Sequence, residues 1–155
     1  MRRSIHVIAI FICFIFIASC QKKFENPSEV PATDTFKVVV NGISFPVYSI
    51  SVTNVSNNVN LVARDVSGFR RVSLTIPANI APGTYPLDFL GMTYFGNYNP
   101  DTSTSLVSDN GTLVIIENNL IVKRMRAIFD FNARYISGST TFAQLSDGYF
   151  SIKYP

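Results

Sequence analysis

Two cysteines and one histidine are all this chain of 155 residues offers for thiol or imidazole chemistry, and all three lie in its first twenty residues: His6, Cys13 and Cys20. Beyond residue 20 the chain can build neither a Ser-His-Asp triad nor a Cys-His pair, nor a zinc site of the usual His and Cys type. Carboxylates, lysines and oxygen-ligand metals remain. Hydrolysis by two carboxylates needs a pair about 5–10 Å apart. Asp65, Asp88, Asp101, Asp109 and Glu117 fall at strand ends or turns of the pattern, and Asp130 alternates with Phe129 and Phe131, facing away from them. No pair stands out, so no enzyme is expected. Asp101, Asp109 and Asn110 could offer oxygens to calcium, but their spacing fits no EF-hand loop. Asp and Asn are ordinary turn formers, so neither metal nor cofactor is expected.

Recognition chemistry has one concentrated candidate. The run TYFGNYNPD, residues 93–101, gathers Tyr94, Phe95, Asn97, Tyr98 and Asp101. Aromatic rings with polar tips beside amides and a carboxylate suit a sugar ring. The plainer reading is a connection whose aromatics pack on the edge of the fold. Lys123, Arg124 and Arg126 form one basic cluster and Arg70-Arg71 another. They could meet anionic lipid heads, but charges on exposed strands also deter edge-to-edge pairing, and that reading is preferred. Net charge is +3, of which Arg2 and Arg3 supply two. The remaining balance gives no basis for a nucleic-acid partner.

The elements that must carry these residues are strands. FKVVV at 36–40, then Asn41-Gly42, then ISFPVYSISV reads as a hairpin on a type I′ turn. Pro46 cannot donate to a ladder, so that second run is expected to be an edge strand or bulged. In RRVSLTIP, Val72, Leu74 and Ile76 alternate with Arg71, Ser73 and Thr75. NIAPGTYPL reads as a loop entering a short strand. Asp109-Asn110-Gly111, Asn118-Asn119, Ser137-Gly138 and Asp147-Gly148 read as turns between later strands. Ala127, Phe129, Phe131, Ala133 and Tyr135 share one face there, and Ile128, Asp130, Asn132 and Arg134 the other. Turn signals recur every 8–15 residues over about nine or ten strands, with no sustained helical period. The expected fold is an all-β antiparallel sandwich, with a small closed or flattened barrel as the alternative.

The N-terminus has the three parts of an export signal: Arg2-Arg3, an unbroken apolar run from Val7 to Ile17, then Ala18-Ser19. Spanning a bilayer takes about 18 or more apolar residues, and this run is shorter. Ile17-Ala18-Ser19-Cys20 resembles the lipobox of bacterial lipoprotein signals. That resemblance implies cleavage before Cys20, a diacylglycerol thioether on its sulfur and, with Gln21 rather than Asp following, an outer-membrane location facing the periplasm or the exterior. The domain layout expected is a signal at 1–19, a lipidated Cys20 with a tether to residue 35, and one domain at 36–155. QKKFENPSEVPATDT is too polar and proline-rich to order itself.

Within the domain, Gly83-Thr84-Tyr85, Gly111-Thr112-Leu113 with Ile115, Phe129-Asp130-Phe131, and Asp147-Gly148-Tyr149-Phe150 with Tyr154 occur in this order. Together with the lipobox they resemble a family of small Bacteroidetes-type lipoproteins of unknown function. Ala127 stands where that pattern has a glycine. The resemblance transfers no catalytic residue. The combined expectation is a monomeric, non-enzymatic module on the membrane through Cys20, recognising a glycan or an envelope protein. An apolar-ligand carrier is the alternative, with a carboxylate-based hydrolase behind it.

Overall fold

A computed structural model describes residues 33–155 except 92, 138 and 139. The signal, Cys20 and all but the last three residues of the tether lie outside the described residues. Alternating apolar and polar residues become strand because successive side chains leave opposite faces of an extended chain. β1 (Thr35–Val40) meets β2 (Ile43–Ser44) through Asn41-Gly42, whose φ angles of 51° and 79° are the left-handed pair the turn requires. β3 (Ser49–Val55), β4 (Asn58–Arg64) and β5 (Arg71–Pro77) form a meander. β6 (Gly83–Pro86), a single 3-10 turn (Phe89–Gly91) and β7 (Phe95–Asn99) lead into three long strands. These are β8 (Leu106–Asn119), β9 (Arg124–Arg134) and β10 (Thr141–Lys153).

All ten strands pair antiparallel in one sheet, ordered β2-β1-β10-β9-β8-β7-β5-β4-β3, with β6 also on β8. The domain is all-β, and its architecture is the flattened-barrel alternative, a curled and open half-barrel rather than two stacked sheets. The reason lies at two places read as turns. Asp109-Asn110-Gly111 falls inside β8 and Asp147-Gly148 inside β10, each beside a register shift: Ser108 to Asn110 on β8, Leu145 to Gly148 on β10. A bulge bends and twists a strand without ending it. The chain therefore curls within one sheet instead of crossing to a second. Asn118-Asn119 likewise stay in β8, and the reversal falls at residues 120–123.

ISFPVYSISV does not form one strand. It splits into β2 and β3, at opposite edges of the sheet. The link between them crosses the gap. The Phe45 N–H donates to the Val38 carbonyl at 2.9 Å and the Tyr48 N–H to the Arg64 carbonyl at 2.8 Å. Phe45 is buried, with the Arg70 guanidinium 5.9 Å from its ring centre. Pro46 sits where no ladder needs a donor.

The concave side is filled. Val59, Leu61, Val72, Leu74, Ile76, Leu113, Ile115 and Met125 join Phe129, Phe131, Phe150 and Ile152 in one buried cluster. Tyr135, expected on this face, lies past the end of β9 and is exposed. Two glycines admit the rings: a β-carbon at Gly96 would stand 2.7 Å from the Phe131 ring, and one at Gly148 2.5 Å from the Phe129 carbonyl oxygen and 2.6 Å from its ring.

Cross-strand register sorts the connections to two ends. Thr35, the Ser56-Asn57 turn, Ala78–Ile80, the β8–β9 turn and Tyr154 gather where the chain enters, the entry end. Asn41-Gly42, Asp65–Arg70, Pro100–Thr104 and the β9–β10 turn form the opposite, loop end. Asn118 clasps the entry end. Its Nδ2 donates to the Ala78 and Ile80 carbonyls at 2.9 and 2.8 Å, and its Oδ1 accepts from the Tyr154 hydroxyl at 2.9 Å. Asn118→Ala removes all three bonds; the Tyr154 hydroxyl keeps only its longer bond to the Ala78 carbonyl at 3.3 Å, and the Ile80 carbonyl loses its Asn118 donor. A buried group left unpaired costs about 1–3 kcal/mol. A lowered urea midpoint with an unchanged slope is expected; a midpoint matching the native chain would contradict the clasp.

Candidate functional site

The residues of the 93–101 run do not share one surface. Strand alternation sends Gly96 and Tyr98 inward and Phe95 and Asn97 outward. Tyr98 is 8% exposed, and burial pushes its phenol pKa up. Tyr94 lies against Tyr85, ring centres 4.9 Å apart, and borders a small depression of about 140 Å³ with Pro86, Asp88, Gly91 and Thr93. Phe95 meets Phe89 edge-on at 5.6 Å.

Asp101 is occupied by its own turn. Its Oδ1 accepts from the Ser103 N–H (2.8 Å), the Ser103 hydroxyl (2.9 Å) and the Thr104 N–H (2.6 Å), and its Oδ2 accepts from the Thr104 hydroxyl (2.9 Å). These donors, Ser103 first, hold its pKa down to about 2. Neighbouring Asn99 is buried between the Arg71 Nε at 3.0 Å and the Thr104 carbonyl at 2.8 Å.

Four of the other carboxylates considered from sequence, Asp65, Asp88, Asp109 and Glu117, are engaged in the scaffold. Asp65, 3% exposed, accepts from the Ser67 hydroxyl and the Arg70 guanidinium, each at 2.7 Å, and these bonds lower its pKa. Asp109 pairs with Arg134 at 2.5 Å and Glu117 with Arg126 at 2.8 Å. Asp88 caps the 3-10 turn by accepting the Leu90 N–H at 2.8 Å. Asp101 and Asp109 therefore have oxygens already committed, and among the described residues no three His, Cys, Asp or Glu side chains group as metal ligands do. One juxtaposition was missed. Asp130 and Asp147 border the same depression of about 390 Å³ on the outer face, with Val114, Ile128 and Tyr149. Both carboxylates are exposed. Sequence treats Asp147 as half of a turn dipeptide; only the β10 bulge sets it beside Asp130.

The exposed apolar residues carry a clearer pattern. Among the described residues, apart from Leu90, Ile116 and Ile128, the large hydrophobics exposed to water lie at the two ends of the half-barrel. Ile43, Tyr48, Val66, Phe69, Tyr135, Ile136 and Phe142 mark the loop end; Val55, Leu120, Ile121 and Val122 mark the entry end. At the loop end, Phe69 is 60% exposed and Phe142 52%. Tyr135 and Phe142 are preset edge-to-face, with centres 4.6 Å apart. Isolated exposed aliphatics are ordinary on a monomer, but grouped ones mark contact surfaces. No family model, curated protein or solved structure matches this chain.

Proposed function

We propose that this chain is a lipid-anchored, non-enzymatic binding module of the bacterial cell envelope, held at the outer membrane through Cys20, and that its loop end engages a protein partner. The observation that carries the reading is the grouping of exposed aromatic and aliphatic side chains in the loop-end connections. Aromatic residues are enriched where proteins meet. A sugar site would need rings and hydrogen-bonding groups converging on one surface. The 93–101 run, the earlier glycan candidate, divides its residues between the two faces of β7 and commits Asp101 to its own turn. A carrier needs interior space, and here Phe129, Phe131 and Phe150 fill the interior.

The test places a photo-crosslinking residue at Phe69 or Phe142, with exposed Ser51 on β3 as the control position, in cells making the acylated chain. A discrete protein adduct is expected at both loop positions and not at Ser51, and Tyr135→Ala should diminish the Phe142 adduct. Equal adducts at Ser51, or none at the loops, would overturn the reading. Glycan-array binding abolished by Tyr135→Ala with Phe142→Ala would reassign the loop end to carbohydrate.

A further inference from the structure

The β8–β9 reversal puts three aliphatic residues where a soluble hairpin ordinarily has polar ones. Leu120, Ile121 and Val122 are 58%, 94% and 54% exposed. They are held out rather than loosely displayed. The Asn119 Oδ1 accepts the Ile121 N–H at 3.1 Å and the Val122 N–H at 3.2 Å, and the Lys123 carbonyl accepts the Tyr154 N–H at 2.9 Å. Lys123 takes the left-handed φ of 51° that closes the turn.

Charge and chain path add two independent observations. Lys123 and Arg124 follow the tip directly, and Lys153 is the cross-strand partner of Arg124. Arg126 pairs with Glu117, and Asp34 accepts the Lys153 N–H at 2.8 Å, while the side chains of Lys123 and Lys153 are exposed beside the tip. The same Asp34 bond, with the pairing of Thr35 to Ser151, places the entry of the chain at this end. From Cys20 to Thr33 is thirteen residues, a reach of at most about 45 Å. An acylated Cys20 therefore keeps this end within that distance of a bilayer.

We infer that the β8–β9 tip is a lipid-contact element: Leu120, Ile121 and Val122 enter the interfacial layer of an anionic bilayer while Lys123 and Lys153 meet its headgroups. Aliphatic side chains gain by leaving water, and basic residues at the surface add attraction that salt weakens. Contact at the entry end turns the loop end away from the membrane. The inference rests on the lipid-anchored reading for the nearness of the bilayer.

The test uses the acylated chain carrying Ile121→Cys, labelled with an environment-sensitive dye and reconstituted in vesicles of phosphatidylethanolamine with phosphatidylglycerol. Ile136→Cys at the loop end is the control. At position 121 a blue shift and quenching by brominated acyl chains are expected, with an aqueous spectrum at 136. A second arm follows co-sedimentation of unacylated Cys20→Ser chain with the same vesicles. Ile121→Asp should weaken it about tenfold, and phosphatidylcholine vesicles should bind poorly. Ile121 touches so little of the fold that this change leaves the unfolding midpoint in place, which a urea titration checks. An aqueous spectrum at 121 on a chain whose Cys20 is acylated by mass spectrometry overturns the tip contact and leaves the anchor standing. A free thiol at Cys20 with vesicle binding still sensitive to Ile121→Asp overturns the anchor and keeps the tip. A blue shift that appears without vesicles and grows with protein concentration means self-association and overturns the inference.

Discussion

Gly111→Ala is expected to destabilise the domain by about 3 kcal/mol, at the upper end of what overpacking a core costs. The added β-carbon would collide with the Asp130 carbonyl oxygen and the Phe131 β-carbon, and would stand 2.7 Å from the Phe131 α-carbon. Two of these atoms belong to the β9 backbone, and a backbone cannot rotate out of the way as a side-chain tip can. Relief requires β8 and β9 to move apart, at the pair Gly111–Phe131 itself. That movement would also loosen Phe131 in its packing against Phe129, whose ring centre lies 6.2 Å away. Gly111 does not have a left-handed φ, so alanine's backbone preference contributes little and the cost is steric. Gly91→Ala is the control: nothing lies within 4 Å of its would-be β-carbon. Urea unfolding followed by near-ultraviolet circular dichroism should show a large drop in midpoint for Gly111→Ala and almost none for Gly91→Ala. Equal midpoints for the two variants would refute the close approach of β8 to β9.

Cys20→Ser is expected to abolish stable lipid anchoring, leaving only the weak vesicle contact of the β8–β9 tip, and to leave the folded domain intact. The thiol is the only atom the lipobox chemistry can alkylate, and serine offers no sulfur for the thioether. Each buried methylene contributes about 0.8 kcal/mol of membrane affinity, so several acyl chains hold a protein that one chain holds only marginally. Losing all of them is an all-or-none change in partitioning. The native chain should take up radiolabelled palmitate and enter the detergent phase. The serine variant should take up none and stay aqueous, with an unfolding midpoint equal to that of the native chain. Labelled palmitate absent from the native chain, or a peptide retaining the free Cys20 thiol, would rule out the anchor.

How much could be read in advance follows from the range of the forces involved. Strand faces were legible because period-two alternation is a property of the extended backbone: Val72, Leu74 and Ile76 are buried as their spacing requires. The Asn41-Gly42 turn was legible because few residues tolerate two consecutive left-handed φ values. The lack of His and Cys beyond residue 20 is a matter of inventory that no fold can change. Asp109-Asn110-Gly111 and Asp147-Gly148 carry the same local turn chemistry, yet each lies within a continuous strand. At Gly111 and Gly148 the small residue serves an approach to β9, which local sequence does not contain.

Those two bulges, with further register shifts at Lys37–Val39 and Ile115–Glu117, bend the sheet. Whether alternating strands stack as two sheets or curl as one depends on where the chain bends without breaking, and that is set by pairing with strands distant in sequence. The fate of the 93–101 aromatics was decided in the same way, since composition gathers rings while β7 pairing sends Tyr98 in and Phe95 out. With Asn118-Asn119 read as the turn, Leu120, Ile121 and Val122 fall at the start of the next strand, whose hydrophobicity they share. Only the length of β8 and its register with β9 carry them past the core into water. Spacing and inventory alone settle an all-β chain without His or Cys beyond residue 20; which apolar side chains the core has room to hide follows from the pairing of distant strands, because burial depends on what lies opposite each side chain.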